Sequence, residues 1–366
     1  MKVAILTVFF LIISSSAWSE IESEEVTIGG HFLGLWNYVW QLHEDTFFND
    51  RRQFDYAINL DVNWIVNERI SGVVQFQTSP GGGSFEFPGP EPKVVDLNVV
   101  MSFPEIKSEV TLGSFDAPFG ITTDYLTNNA DATRNLFFLN PLFFSAFAGS
   151  PSGILNVIGV KETFETEKME FTIAGYNNLI ETSGNADGGF GVCTRIALNL
   201  NDRFHSAGSF IYSPERYRYK FYGCLADARL QTETGFIVSG YFGTLRYDDF
   251  TDSTEDNALI WMGEAGYNFK QFTFAVRASG WLPDDRDGGY QGMSFYMPYI
   301  GFGVRSNLLF PAKDQEIIRY QTAVGMSIID GLMAKVEYFF EDYAKHNLKN
   351  ESTDEQGIIM LLQGSF

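Results

Sequence analysis

The sequence predicts an all-β chain that closes into a transmembrane antiparallel up-and-down β-barrel of sixteen strands, with eighteen as the alternative. Three observations predict it. Apolar and polar residues alternate with period two in many segments. The connections between those segments alternate between tight and long. An export-type segment opens the chain, and no later apolar run is long enough for a membrane helix.

The alternation is clearest where Phe54, Tyr56, Ile58, Leu60, Val62 and Trp64 interleave with Asp55, Ala57, Asn59, Asp61 and Asn63. Eleven residues with an apolar face, a polar face and aromatics at both ends suit a tilted strand crossing a bilayer. The same pattern returns around Leu97–Phe103, Val192–Leu200, Leu259–Phe269, Phe272–Ser279, Ile318–Ile328 and Ala334–Phe340. On this pattern Asp55, Asn59, Asp61, Arg195, Glu264, Arg277, Arg319, Lys335 and Glu337 face the lumen. Such mixed charges either line a general diffusion pore or brace the wall as ion pairs.

The tight connections are Asn67–Arg69, Pro104–Lys107, Asn201–Arg203, Lys270–Gln271 and Asp330–Gly331; the last is a two-residue hairpin pair. Between them lie Leu42–Asp50, Ser79–Lys93, Asp116–Ser152, Glu181–Gly189, Asp248–Asn257, Pro283–Asp314 and Tyr343–Glu355. Short turns on the periplasmic side and long loops outside are the habit of bacterial barrels. The stretch 299–307 looks strand-like, but counting it gives an odd number of strands. The region Pro283–Asp314 is therefore read as one long external loop.

At the start, Lys2, the apolar run Val3–Ile13 and Ala17-Trp18-Ser19 read as a signal peptide over residues 1–19, leaving residues 20–366 as an outer-membrane barrel. At the end, Ile358, Met360, Leu362, Gly364 and Phe366 share one strand face. The terminal aromatic resembles the mark that bacterial barrels present to their insertion machinery.

Composition agrees: 16% aromatic residues and 35 Gly suit strands and turns. The net charge of −21 becomes −22 once Lys2 leaves with residues 1–19. That argues against a nucleic-acid partner, whose binders carry basic faces. It favours cations or neutral solutes over anions in any pore. Cys193 and Cys224 fall in strands separated by another strand, too far apart to bond if the register holds.

The connection Asp116–Ser152 is long enough to demand a role. Its charges are Asp116, Asp124, Asp131 and Arg134, and its second half carries Phe137, Phe138, Phe143, Phe144 and Phe147. Folded into the lumen it would constrict the pore. There the carboxylates would attract cations, Arg134 would set up a transverse field, and the rings would offer an apolar slide. Alternatively the rings fasten the loop to the barrel wall or to a neighbouring subunit.

The run Gly113-Ser114-Phe115-Asp116-Ala117-Pro118-Phe119-Gly120 resembles the Gly-x-Phe-x-x-Pro-Phe-Gly turn of the phosphate-selective porin (type O/P) superfamily and its DcaP-like relatives. The resemblance implies a sixteen-stranded homotrimeric barrel with an inward loop after this motif. Phosphate-selective members carry a ladder of Arg and a cluster of Lys, whereas this loop has one Arg and no Lys. The expected function is therefore a porin in the outer-membrane lipids, passing small hydrophilic solutes and ions with a weak preference for cations or neutral solutes. A non-conducting adhesin or structural barrel is the alternative.

Nothing points to an enzyme or a cofactor. His31, His43, His205 and His346 are scattered without metal-ligand spacing, and no nucleophile elbow, phosphate loop or dinucleotide fingerprint occurs.

Overall fold

Sixteen antiparallel strands run in sequence order around a closed barrel, in a computed structural model that describes residues 25–41, 51–78, 93–120, 156–179, 190–201, 203–216, 219–248, 255–284, 316–343 and 355–365. They are β1 (Glu25–Gln41), β2 (Arg51–Asn67), β3 (Ile70–Thr78), β4 (Lys93–Phe103), β5 (Ser108–Asp116), β6 (Asn156–Glu165), β7 (Met169–Leu179) and β8 (Gly191–Asn201). There follow β9 (Phe204–Arg216), β10 (Tyr219–Gln231), β11 (Phe236–Asp248), β12 (Glu255–Phe269), β13 (Phe272–Pro283), β14 (Ile317–Ile329), β15 (Leu332–Tyr343) and β16 (Glu355–Ser365). The sheet closes where β1 pairs with β16, His31 opposite Ser365 and Gln41 opposite Glu355. Closure removes every sheet edge, the condition for a sheet to cross a bilayer. The count is sixteen rather than eighteen; the stretch 299–307, residues 1–19 and Phe366 lie outside the described residues.

All five expected tight connections are found, joined by Thr166–Lys168 and Thr232–Gly235. Asx turns form two of them. The Asn67 Oδ1 accepts from the amides of Arg69 (2.8 Å) and Ile70 (3.0 Å), and the Asn201 Oδ1 accepts from Arg203 and Phe204, both at 2.9 Å. Ion pairs link neighbouring turns along this rim, Arg69 with Glu105 and Arg203 with Glu233. The opposite rim carries the long connections. One exception is the β9–β10 link, where two residues separate the strands.

Strand parity sorts side chains cleanly on the outside. Leu60, Val160, Ile173, Leu198, Phe242, Val276, Val324 and Met360 are exposed, all on the face turned away from the lumen. Apolar exposure on this scale suits lipid rather than water. Aromatics gather near both rims of that face. Tyr267 stacks on Phe269 (6.3 Å) and Phe164 on Phe171 (6.5 Å) near the short turns; Trp36 with Tyr38 (6.5 Å) and Tyr320 with Phe340 (6.4 Å) lie near the long loops.

The inner face is not uniformly polar. Ile211, Leu225, Ile237, Leu245, Ile260, Met262, Phe339 and Ile359 point inward and are buried. Residues that alternate with lipid-facing positions can be apolar too when protein, not water, covers them.

Candidate functional site: the lumen and the root of the inward segment

The residues after β5 leave the wall and enter the lumen. Gly113, the first residue of the eight-residue motif, has φ +120°, and a Cβ there would run into the Leu97 carbonyl. Only Gly fits this kink, where the β4–β5 register ends at Asn98 opposite Gly113. Phe115 then lies under the ammonium of Lys161, 5.6 Å from the ring centroid. The amide of Phe119 donates to the Ala117 carbonyl at 2.7 Å, tightening the turn around Pro118.

This turn docks on the inner wall of β8, β9 and β10, although β6 and β7 lie between them and β5 in the sheet. The Cys193 thiol donates to the Pro118 carbonyl at 3.2 Å, and the Gly120 amide donates to the Ser209 Oγ at 3.2 Å. Phe119 is fully buried beside Gly223 of β10. Gly120 has φ +75°, and a Cβ there would sit 3.3 Å from the Leu225 Cδ2, so the last motif glycine is needed for conformation and close approach alike.

Arg195 on β8 joins these pieces. Its Nη1 donates to the Gly120 carbonyl (3.0 Å), the Ser209 Oγ (3.0 Å) and the Asp227 Oδ2 (2.5 Å), while its Nη2 donates to the Asp227 Oδ1 (2.8 Å). The two parallel bonds make a bidentate pair, the geometry a guanidinium forms best with a carboxylate. Arg195 lies on the inner side of β8, where it anchors the inward turn. Its partners Asp227, Ser209 and Gly120 were not among the expected site residues. Asp227 carries a signal, the one acid in Gly223–Leu230, where only Arg229 is charged besides it.

Among the described wall residues, Asp61, Glu264, Arg277, Arg319, Lys335 and Glu337 are buried on the inner face. Arg277 donates from Nε (2.9 Å) and Nη2 (2.7 Å) to the Glu264 Oε2, with side chains 0% and 1% exposed. Lys335 Nζ meets the Glu337 Oε1 at 2.8 Å along one strand face, and Asp61 accepts from the Gln75 Nε2 at 2.7 Å. Arg319 is buried on the inner face of β14 and is also engaged. The bracing reading of these charges is the one the geometry favours. The side chains of Asp55, Asn59 and Asp116 are outside those described, as are Asp124, Asp131, Arg134, Phe137, Phe138, Phe143, Phe144 and Phe147.

Cys193 and Cys224 are both free. They sit on β8 and β10, with β9 between, and on opposite faces of the wall: Cys193 is buried in the lumen, Cys224 exposed outside. Among the described residues no group of His, Cys, Asp and Glu could hold a metal ion.

No family model matches the chain, and no curated protein matches it in sequence. Solved structures do match its fold. The anion-selective porin from Comamonas acidovorans superposes with a TM-score of 0.64 at 10% identity, covering 93% of this chain and 99% of that one. Pseudomonas putida OprB gives 0.62 at 9% identity, covering 97% of each chain. The outer membrane channel DcaP of Acinetobacter baumannii gives 0.59 at 9% identity, covering 93% and 97%. At such identities the likeness is one of fold: the chain has the barrel of outer-membrane porins.

Proposed function

We propose that this barrel is a passive outer-membrane channel for small hydrophilic solutes and ions, with a weak preference for cations or neutral solutes, and not an enzyme. The observation that carries the proposal is the inward turn Ala117–Gly120, anchored at Arg195 and Asp227 inside a sixteen-stranded wall. Barrels of this size leave an aqueous lumen, and a segment folded into it narrows the path and makes it selective. Residues 121–152, with Asp124, Asp131 and Arg134, extend that turn in this reading and form the constriction.

Charge supports the cation preference. The described basic side chains Arg195, Arg277 and Lys335 are each neutralised by a carboxylate, and the chain as a whole carries −21. The anion selectivity of the Comamonas acidovorans porin belongs to that protein. Export through residues 1–19, insertion guided by Phe366 and assembly as a homotrimer complete the proposal.

Purified protein in planar bilayers tests it. Discrete conducting steps are expected, and a salt gradient should give a reversal potential of cation-selective sign. No open channel in any salt would leave the non-conducting surface barrel; clear anion selectivity would overturn the charge argument.

A further inference from the structure

The ion pairs of the inner wall differ in how far they reach water. In Glu264–Arg277 the two side chains are 1% and 0% exposed, and in Lys335–Glu337 they are 8% and 0% exposed. In Arg195–Asp227 the guanidinium keeps 19% of its surface while the carboxylate keeps 5%. The first two pairs are sealed into the wall. The third shows water mainly its cationic member, and it does so where the chain turns into the lumen at Gly120.

Three groups accept hydrogen bonds from Arg195: the Gly120 carbonyl, the Ser209 Oγ and the Asp227 carboxylate. The first two are neutral, so the opposing charge in this cluster comes from Asp227 alone. A guanidinium keeps its proton in any water a channel meets. With the acid neutralised, Arg195 stays positive, and Gly120 and Ser209 still hold it at the turn. A second base, Arg229, occupies the next inward position of β10 and is half-buried. Low-dielectric walls focus the field of such charges into the water between them.

We infer that Asp227 is a specificity-determining residue of the channel: by neutralising Arg195 at the root of the inward turn it lets cations pass, and loss of its charge moves the preference toward anions. This rests on the channel reading and names what sets its charge preference. The permeant ion meets the guanidinium; Asp227 acts through it. The Glu264–Arg277 and Lys335–Glu337 pairs, sealed from water, brace the wall and leave the preference to the Arg195 site.

Reversal potentials in a potassium chloride gradient at low ionic strength test the inference, in barrels whose folding is checked by heat-modifiable gel mobility. Asp227→Asn should lower the potassium-to-chloride permeability ratio at least about twofold, the Coulomb effect of one unit charge about 10 Å from an ion's path in water. Arg195→Gln removes the base, leaves the acid and should raise the ratio by a similar factor. The double substitution should fall between the two. Glu233→Gln, which removes an exposed acid at the short-turn rim, should move the ratio far less. Opposite shifts separate the electrostatic role from a structural one. A pair that only fastened the turn would, broken from either side, loosen the same segment and move the ratio one way. Single substitutions that shift the ratio together, or leave it unmoved while the channel conducts, would overturn the inference and leave the channel reading standing. An equal shift from Glu233→Gln would overturn it too, since overall charge would then be the cause. If Asp227→Asn gives no folded barrel, the other two variants still decide: a ratio that does not rise with Arg195→Gln and drop back in the double substitution refutes the assignment. No open channel from the unsubstituted protein would sink the channel reading, and the inference with it.

Discussion

Arg195 ties three separate pieces of the molecule together: its own strand, the inward turn at Gly120 and the carboxylate of Asp227 two strands away. Truncating one side of such a pair strands the other charge where water reaches it poorly. Asp227→Ala is expected to destabilise the barrel by about 3–5 kcal/mol, and Arg195→Ala/Asp227→Ala by less than the two single changes together. Guanidinium unfolding followed by tryptophan fluorescence would measure this; strictly additive losses would mean the pair is not coupled. A second residue-scale prediction concerns the motif. Gly113→Ala places a Cβ against the Leu97 carbonyl at a φ of +120°, and about 1–3 kcal/mol of strain is expected. Gly208 has open space around its Cα, so Gly208→Ala should be close to neutral in the same assay. Equal losses at the two positions would remove the conformational account of the motif. The motif was legible in the sequence as eight residues; what each residue does became legible only with the partners it meets on β8 to β11.

At the scale of elements, legibility followed the contrast between a strand's two faces. β2, β8 and β12 to β15 announce themselves because polar and apolar residues alternate, and the tight turns between strands do so through Asn-, Asp- and Gly-containing pairs. β10 and β11 do not. In β11 Ile237, Tyr241 and Leu245 point inward while Val238 and Phe242 point outward, so both faces are apolar and the period vanishes. The same cause hid the buried aliphatic inner face of these strands, because alternation is legible only where a strand's two faces differ. Which carboxylate neutralises Arg195 was equally hidden, because Asp227 lies 32 residues away and is brought close only by barrel closure and register. The lipid face supports a graded prediction. Val276→Arg, near the middle of β13, should cost about 2–4 kcal/mol for folding into lipid vesicles, whereas Phe269→Arg beside the short turn should cost roughly 0–1. A position-independent penalty would argue against a bilayer around this belt.

For the whole molecule the question is where an excess of 21 negative charges acts. On the wall of β8 to β15, Arg195–Asp227, Glu264–Arg277 and Lys335–Glu337 cancel in pairs. On the inward faces of β2 to β7, Lys161 is the one basic side chain among those described, against Asp61, Glu109 and Glu170. A field of that origin acts through water and is screened by salt. The reversal potential in a fixed salt ratio should therefore be cation-selective at low ionic strength, where the Debye length is about 30 Å at 0.01 M, and should fade toward 1 M, where it is about 3 Å. Lys161→Ala removes that opposing charge from the lumen and should move the potential further in the cation direction, most visibly at low salt. Arg277→Met together with Glu264→Gln changes no net charge and should leave the potential where it was. If the paired site moved the potential and Lys161→Ala did not, ions would be following the wall of β12 and β13 rather than the inward faces of β2 to β7.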